Sequence, residues 1–77
     1  MPTVLRVEGY RFFFFSNEGQ EPPHIHVERG DAYAKLWLGP VHLASSEGFK
    51  RPELRRIREL VEEHENEFIK AWQKHHG

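Results

Sequence analysis

His24-Ile25-His26-Val27-Glu28-Arg29, then Gly30-Asp31, then Ala32-Tyr33-Ala34-Lys35-Leu36-Trp37-Leu38, is the stretch that decides the fold. Two runs alternate polar and apolar residues around a pair of turn residues with Gly first, the signature of an antiparallel hairpin with a two-residue turn. That turn sets the register. Arg29 faces Ala32, Glu28 faces Tyr33, Val27 faces Ala34, His26 faces Lys35, Ile25 faces Leu36 and His24 faces Trp37. Because side chains alternate along a strand, Ile25, Val27, Ala34 and Leu36 share one apolar face. His24, His26, Glu28, Tyr33, Lys35 and Trp37 share the other.

Upstream, residues 3–7 and 10–16 are rich in β-branched and aromatic side chains and flank Glu8-Gly9, which predicts a first hairpin. In that hairpin Leu5 is expected opposite Phe12, Thr3 opposite Phe14, Arg6 opposite Arg11 and Val4 opposite Phe13. The simplest assembly puts the arginines on the histidine face. Ser16-Asn17-Glu18-Gly19 has turn chemistry, and Pro22-Pro23 leads extended chain into the histidine strand. Downstream, a short fifth strand is expected over 41–44 after Gly39-Pro40, and a tight turn there sets His42 opposite Trp37. From Pro52 the period changes to about 3.6, with Leu54, Ile57, Val61, His64, Phe68 and Trp72 on one stripe. One helix is expected, with Pro52 in its first turn and Gly77 at its end.

The fold class that follows is α+β: a small antiparallel sheet of four or five strands with one C-terminal helix packed on its apolar face. With 77 residues the chain is a single domain, 1–77, with one modest core. The expected core is Leu5, Phe12, Phe14, Ile25, Val27, Leu36, Leu54, Ile57, Val61 and Phe68. The chain contains no cysteine, which removes disulfides and thiolate zinc sites and suits a reducing cytoplasm. Its longest apolar run, 12–15, is too short to cross a bilayer, and the first residues do not read as a signal peptide. Eleven basic and twelve acidic side chains give a formal charge of -1, so nucleic acid is not bound by bulk electrostatics and any such site is local.

The histidine face is expected to be cationic and aromatic, carrying Arg6, Arg11, Phe13, Phe15, His24, His26, Lys35, Trp37 and His42. Two arginines directly opposite each other call for an anion or carboxylate nearby. Phe13, Phe15 and Trp37 together are too apolar to face water, which points to a homodimer, or a heterodimer with a second small protein, formed through this face. Three uses of the histidine pair stay open. His24, His26 and Lys35 form an acid-base set able to act on an RNA phosphate, with Arg6, Arg11 and Trp37 as ligand contacts and no cofactor. Alternatively, His24 and His26 with His42 or Glu28 make a divalent-metal half-site. In the third, the histidines are structural and hydrogen-bond across an interface. A separate cluster, Lys50, Arg51, Arg55, Arg56 and Arg58, crowds the helix start, where the macrodipole disfavours cations. Arg55-Glu59 and Arg58-Glu62 can pair along the helix; beyond that, the cluster reads as a contact for phosphate or an acidic partner, with Arg55 as the anion contact.

Pro2-Thr3-Val4-Leu5-Arg6, Gly9-Tyr10-Arg11-Phe12-Phe13-Phe14, Ser16-Asn17-Glu18-Gly19 and Pro22-Pro23-His24-Ile25-His26-Val27-Glu28 resemble the small bacterial family called domain of unknown function 4160. Trp37 and the segment through Gly48-Phe49 continue the resemblance. It implies a cytoplasmic bacterial protein encoded beside another small protein in a toxin–antitoxin-like pair, and carries over no catalytic residue. Small bacterial toxins use sparse residue sets of the His24, His26 and Lys35 kind, so this context favours RNA as the substrate of the acid-base reading. A Gly-led His-x-His also occurs in cupins, but the chain is too short for that barrel and lacks its second motif.

Overall fold

The computed structural model describes residues 3–15 and 20–76. Five strands form one antiparallel sheet in chain order: β1 Thr3–Val7, β2 Tyr10–Phe13, β3 His24–Arg29, β4 Ala32–Trp37 and β5 His42–Glu47. Two helices follow, α1 Arg51–Glu63 and α2 Glu65–His76. The fold is α+β as expected, with two helices in place of the one anticipated. The turn expected at 16–19 and the helix end at Gly77 lie outside the described residues.

Turn chemistry sets the ladder. Glu8 and Gly9 have φ of 54° and 83°, the paired positive values that let a two-residue turn follow the twist of its strands. Across the second hairpin all six pairs, from His24 opposite Trp37 to Arg29 opposite Ala32, occur as the sequence predicts. Trp37 also faces His42, so β5 has the anticipated register at its start. It then runs on to Glu47, further than the sequence suggests.

The first hairpin corrects one expectation. Leu5 faces Phe12 and Arg6 faces Arg11, but Thr3 faces Phe13 rather than Phe14, and Val4 has no partner opposite. A bulge has absorbed one residue, which alternation alone cannot foresee. β2 accordingly stops at Phe13, and Phe14 leaves the ladder to pack edge-on against Trp72, ring centres 5.4 Å apart.

Ile25, Val27, Ala34 and Leu36 form the floor of the core with Phe12, and Ile57, Leu60, Val61, Phe68 and Trp72 close it from the helices. Phe12 meets Phe68 at 5.3 Å between ring centres. Leu5 and Leu54, expected inside, are partly buried at the margin of this cluster, and Tyr10, Leu38, Val41 and Leu60 join it. Gly48 has φ of 85° and its missing Cβ would stand 3.1 Å from the Ala32 backbone, so only glycine lets the chain leave β5 so close to β4.

The helix divides at His64. Its ring Nδ1–H donates to the Leu60 carbonyl at 2.9 Å, where its own backbone N–H already donates at 3.1 Å, and this shared acceptor ends α1. Glu65 and Glu67 then open α2, and Lys74, His75 and His76 close it, the charge order a helix dipole favours. Glu65 Oε2 also accepts the Gly39 N–H at 3.0 Å, tying the α2 start to the β4–β5 loop.

Ion pairs fix the other end of the sheet to α1. Glu53 accepts the Lys50 backbone N–H at 3.0 Å, which satisfies an orphan donor of the first turn, and also pairs with Arg29. Arg56 pairs with Glu8 of the first turn and with Glu59 at 3.1 Å. Arg56 thus takes the acid expected for Arg55, while Arg58–Glu62 forms at 3.5 Å as anticipated. The Arg56 guanidinium holds the Glu8 carboxyl below its ordinary 4.5. The Lys50 N–H, and after it Arg29, do the same for Glu53.

Two outcomes follow. Phe12→Ala removes a fully buried ring and is expected to cost about 3–5 kcal/mol, enough to unfold so small a domain in a circular-dichroism melt. Because both carboxyls titrate lower folded than unfolded, their contribution is present above about pH 4.5 and disappears as acid protonates them in the folded chain. Urea titrations down to about pH 3 should show the parent losing more stability than a Glu8→Gln, Glu53→Gln variant, by an amount that salt reduces.

Candidate functional site

His24 and His26 stand side by side on β3 as the alternation requires, ring centres 4.9 Å apart. The sequence expects their face to be open; the structure covers it. His24 is 0% exposed and His26 2%. Phe13, next to His26 across the β2–β3 ladder, stacks on it at 5.4 Å, Phe15 meets it edge-on at 4.5 Å, and Tyr33 stacks at 5.8 Å from the far side. The Tyr33 hydroxyl lies 2.7 Å from His26 Nδ1, giving the buried ring a polar partner. His24 Nδ1–H donates to the Pro22 carbonyl at 3.0 Å, so the Pro22-Pro23 segment fixes that ring as well as the strand. Its outer side meets Trp37 at 5.5 Å and, from α2, Trp72 at 4.7 Å.

Trp72 on the histidines was not anticipated, because stripe and histidine face lie on opposite sides of the sheet. His24 is the first residue of its strand, and a helix passing the end of the sheet can touch it there. His76 completes that corner, packing on Trp72 at 3.9 Å and donating from Nε2 to the Phe15 carbonyl at 3.2 Å. The end of α2 is therefore packed against the chain that follows β2.

The cations expected around the histidines are held by acids. Lys35 faces His26 in register, yet its Nζ reaches Glu21 at 2.8 Å and lies 4.5 Å from the centre of the Trp37 ring. Arg11 faces Arg6 on one side and Glu28 on the other, and pairs with Glu28 at 2.7 Å while covering Phe13 at 4.4 Å. The carboxylate that the opposed arginines call for is thus supplied within the chain. Arg6 is exposed and makes no ion pair among the described residues. Phe13 is 2% exposed, which corrects the expectation that Phe13, Phe15 and Trp37 form an open apolar patch: the phenylalanines enclose His26 instead.

His42 is exposed and lines a shallow groove of about 280 Å³ with Pro22, Trp37, Leu38, Gly39 and Pro40. It does not join His24 and His26 in a ligand set. No three His, Asp or Glu side chains converge among the described residues. Arg55 lies elsewhere, on the helix side of the sheet, where it lines a second groove of about 280 Å³ with Leu36, Leu43, Leu54 and Arg58. Leu43 there is 44% exposed, the large apolar side chain left most open among the described residues. Its position opposite Leu36 follows from the Trp37–His42 register, so the fifth strand already carried that signal.

A five-stranded antiparallel meander with two helices on one face and an aromatic-sheathed histidine pair on the other defines a small α+β domain. The family described as Domain of unknown function (DUF4160) matches residues 9–73, and the chain belongs to it. No curated protein matches the chain, and no solved structure does. Among the described residues no helix is long and apolar enough to cross a membrane.

The burial pattern has a direct chemical readout. In a brief treatment of the folded chain with diethyl pyrocarbonate, mapped by mass spectrometry, exposed His42 and His75 should be modified first. His24 and His26 should react only after denaturation.

Proposed function

We propose that the protein is the binding member of a cytoplasmic two-protein bacterial module of the toxin–antitoxin kind, acting through contact with a second small protein. The observation that carries this reading is the enclosure of His24 and His26. An acid-base pair must reach within hydrogen-bond distance of the proton it moves, and rings at 0% and 2% exposure behind Phe13, Phe15 and Tyr33 do not reach a bound phosphate without the cover opening. Glu21 on Lys35 and Glu28 on Arg11 further reduce the positive field that would draw RNA to this face. The histidines are better explained as a polar inner layer that fixes one packing of the sheet, a role in which each ring finds a hydrogen-bond partner.

Co-expression with the small protein encoded beside it is the test. A complex that co-elutes in size-exclusion chromatography, together with no cleavage of RNA by the purified chain in chelator, is the expected result. RNA cleavage in chelator that disappears in a folded Lys35→Ala variant would return the function to the acid-base set. Stoichiometric metal that is lost on His42→Ala would favour the metal reading.

A further inference from the structure

Neither edge of the sheet is a clean template for another strand. Val4 in β1 and Ala44 in β5 each lack a residue opposite, and such bulges twist an edge away from further pairing. Docking at β5 therefore falls to its side chains. Leu43 projects toward the helix side, opposite Leu36, where Leu54 of α1 completes an apolar floor. Arg55 and Arg58 form the rim.

Helix stability does not account for those cations. Neither lies in the last turn of α1, where the dipole would favour a cation, and Arg55 makes no ion pair among the described residues. Arg58 has only the exposed 3.5 Å pair with Glu62, a contact of the kind worth about 0.2–0.5 kcal/mol. By contrast Arg56, one position on from Arg55, is spent on Glu8 and Glu59. Past its first turn the helix thus has one arginine that holds the fold and two that border an open leucine surface.

At about 280 Å³ the groove falls below the roughly 300–1,000 Å³ of small-molecule sites, and it suits one or two inserted side chains. Its leucine floor offers no ring for a nucleic-acid base to stack on. Building on the binding reading above, we infer that the groove of Leu36, Leu43, Leu54, Arg55 and Arg58 docks a segment of another protein that presents one large apolar side chain flanked by carboxylates. The apolar side chain covers Leu43 and Leu54, and the carboxylates meet Arg55 and Arg58. Complementary charge at the rim sets orientation and partner choice, while the desolvated centre supplies the affinity.

The test uses the full ¹⁵N-labelled chain and short synthetic peptides with a leucine between glutamates. Amide signals of Leu43, Leu54 and Arg55 should shift, and the dissociation constant should rise about tenfold in Arg55→Glu, Arg58→Glu and with added salt. Leu43→Ser, at an already exposed position, should weaken binding while the circular-dichroism spectrum stays that of the parent. Equal binding of a peptide with lysines for glutamates, or shifts confined to other residues, would overturn the inference. So would groove signals that move with the protein's own concentration, which assigns the surface to a second copy, or that respond more strongly to RNA oligonucleotides. If the adjacently encoded protein still co-elutes with a Leu43→Ser, Arg55→Glu, Arg58→Glu chain, the binding function stands and the groove does not carry it.

Discussion

β3 is buried on both faces over His24, Ile25, His26 and Val27, and the rest of the molecule is arranged to satisfy it. A chain of 77 residues has little interior to spare, yet its central strand must have a cover on each side. Ile25 and Val27 take theirs from α1 and α2 through Ile57, Val61 and Phe68. The histidines need a different cover, because imidazole nitrogens buried without partners cost roughly 1–3 kcal/mol each. Pro22 and Tyr33 supply oxygen atoms, and Phe13, Phe15, Trp37 and Trp72 supply ring contacts. That second cover comes from β4, from the chain around β2 and β3 and from the end of α2, with no separate layer of secondary structure.

This arrangement changes what the charged residues do. In an open sheet, Arg11 and Lys35 beside two histidines would form an anion-binding surface. Here each lies over a ring and meets a carboxylate, so both charges serve packing: Arg11 on Phe13 with Glu28, Lys35 on Trp37 with Glu21. The cations without such duties are on the outside of the molecule, among them Arg55 beside Leu43. In a small domain whose conspicuous motif lies in its own interior, the open side chains are at the margin, such as Leu43 of β5 and Arg55 of α1.

Much of the architecture was legible locally. The β3–β4 register follows from Gly30-Asp31 alone, and the apolar stripe of the helices from the spacing of Ile57, Val61, Phe68 and Trp72. The helix break is legible in the charges rather than in the apolar stripe: the stripe runs through His64 without interruption, whereas Glu65 and Glu67 are the acidic start of a second helix. The bulge at Val4 has no comparable signal, since inserting a residue leaves composition and alternation almost unchanged.

The sequence by itself determined the α+β class, the pairing of the central hairpin and which residues share each face, because these depend on turn conformation and on side-chain period over a few neighbouring positions. It also determined that Arg6 and Arg11 would need a carboxylate. Tertiary structure alone decided that Glu28 and Glu21 would take up Arg11 and Lys35, that Trp72 and His76 would reach the histidine corner, and that the histidine face would be closed. Those contacts join residues far apart in the chain, from Phe15 to His76 and from His24 to Trp72, and depend on where α2 ends after the turn at His64. Local period fixes the side of a sheet on which a residue lies; only the packing of remote elements fixes whether that side meets water.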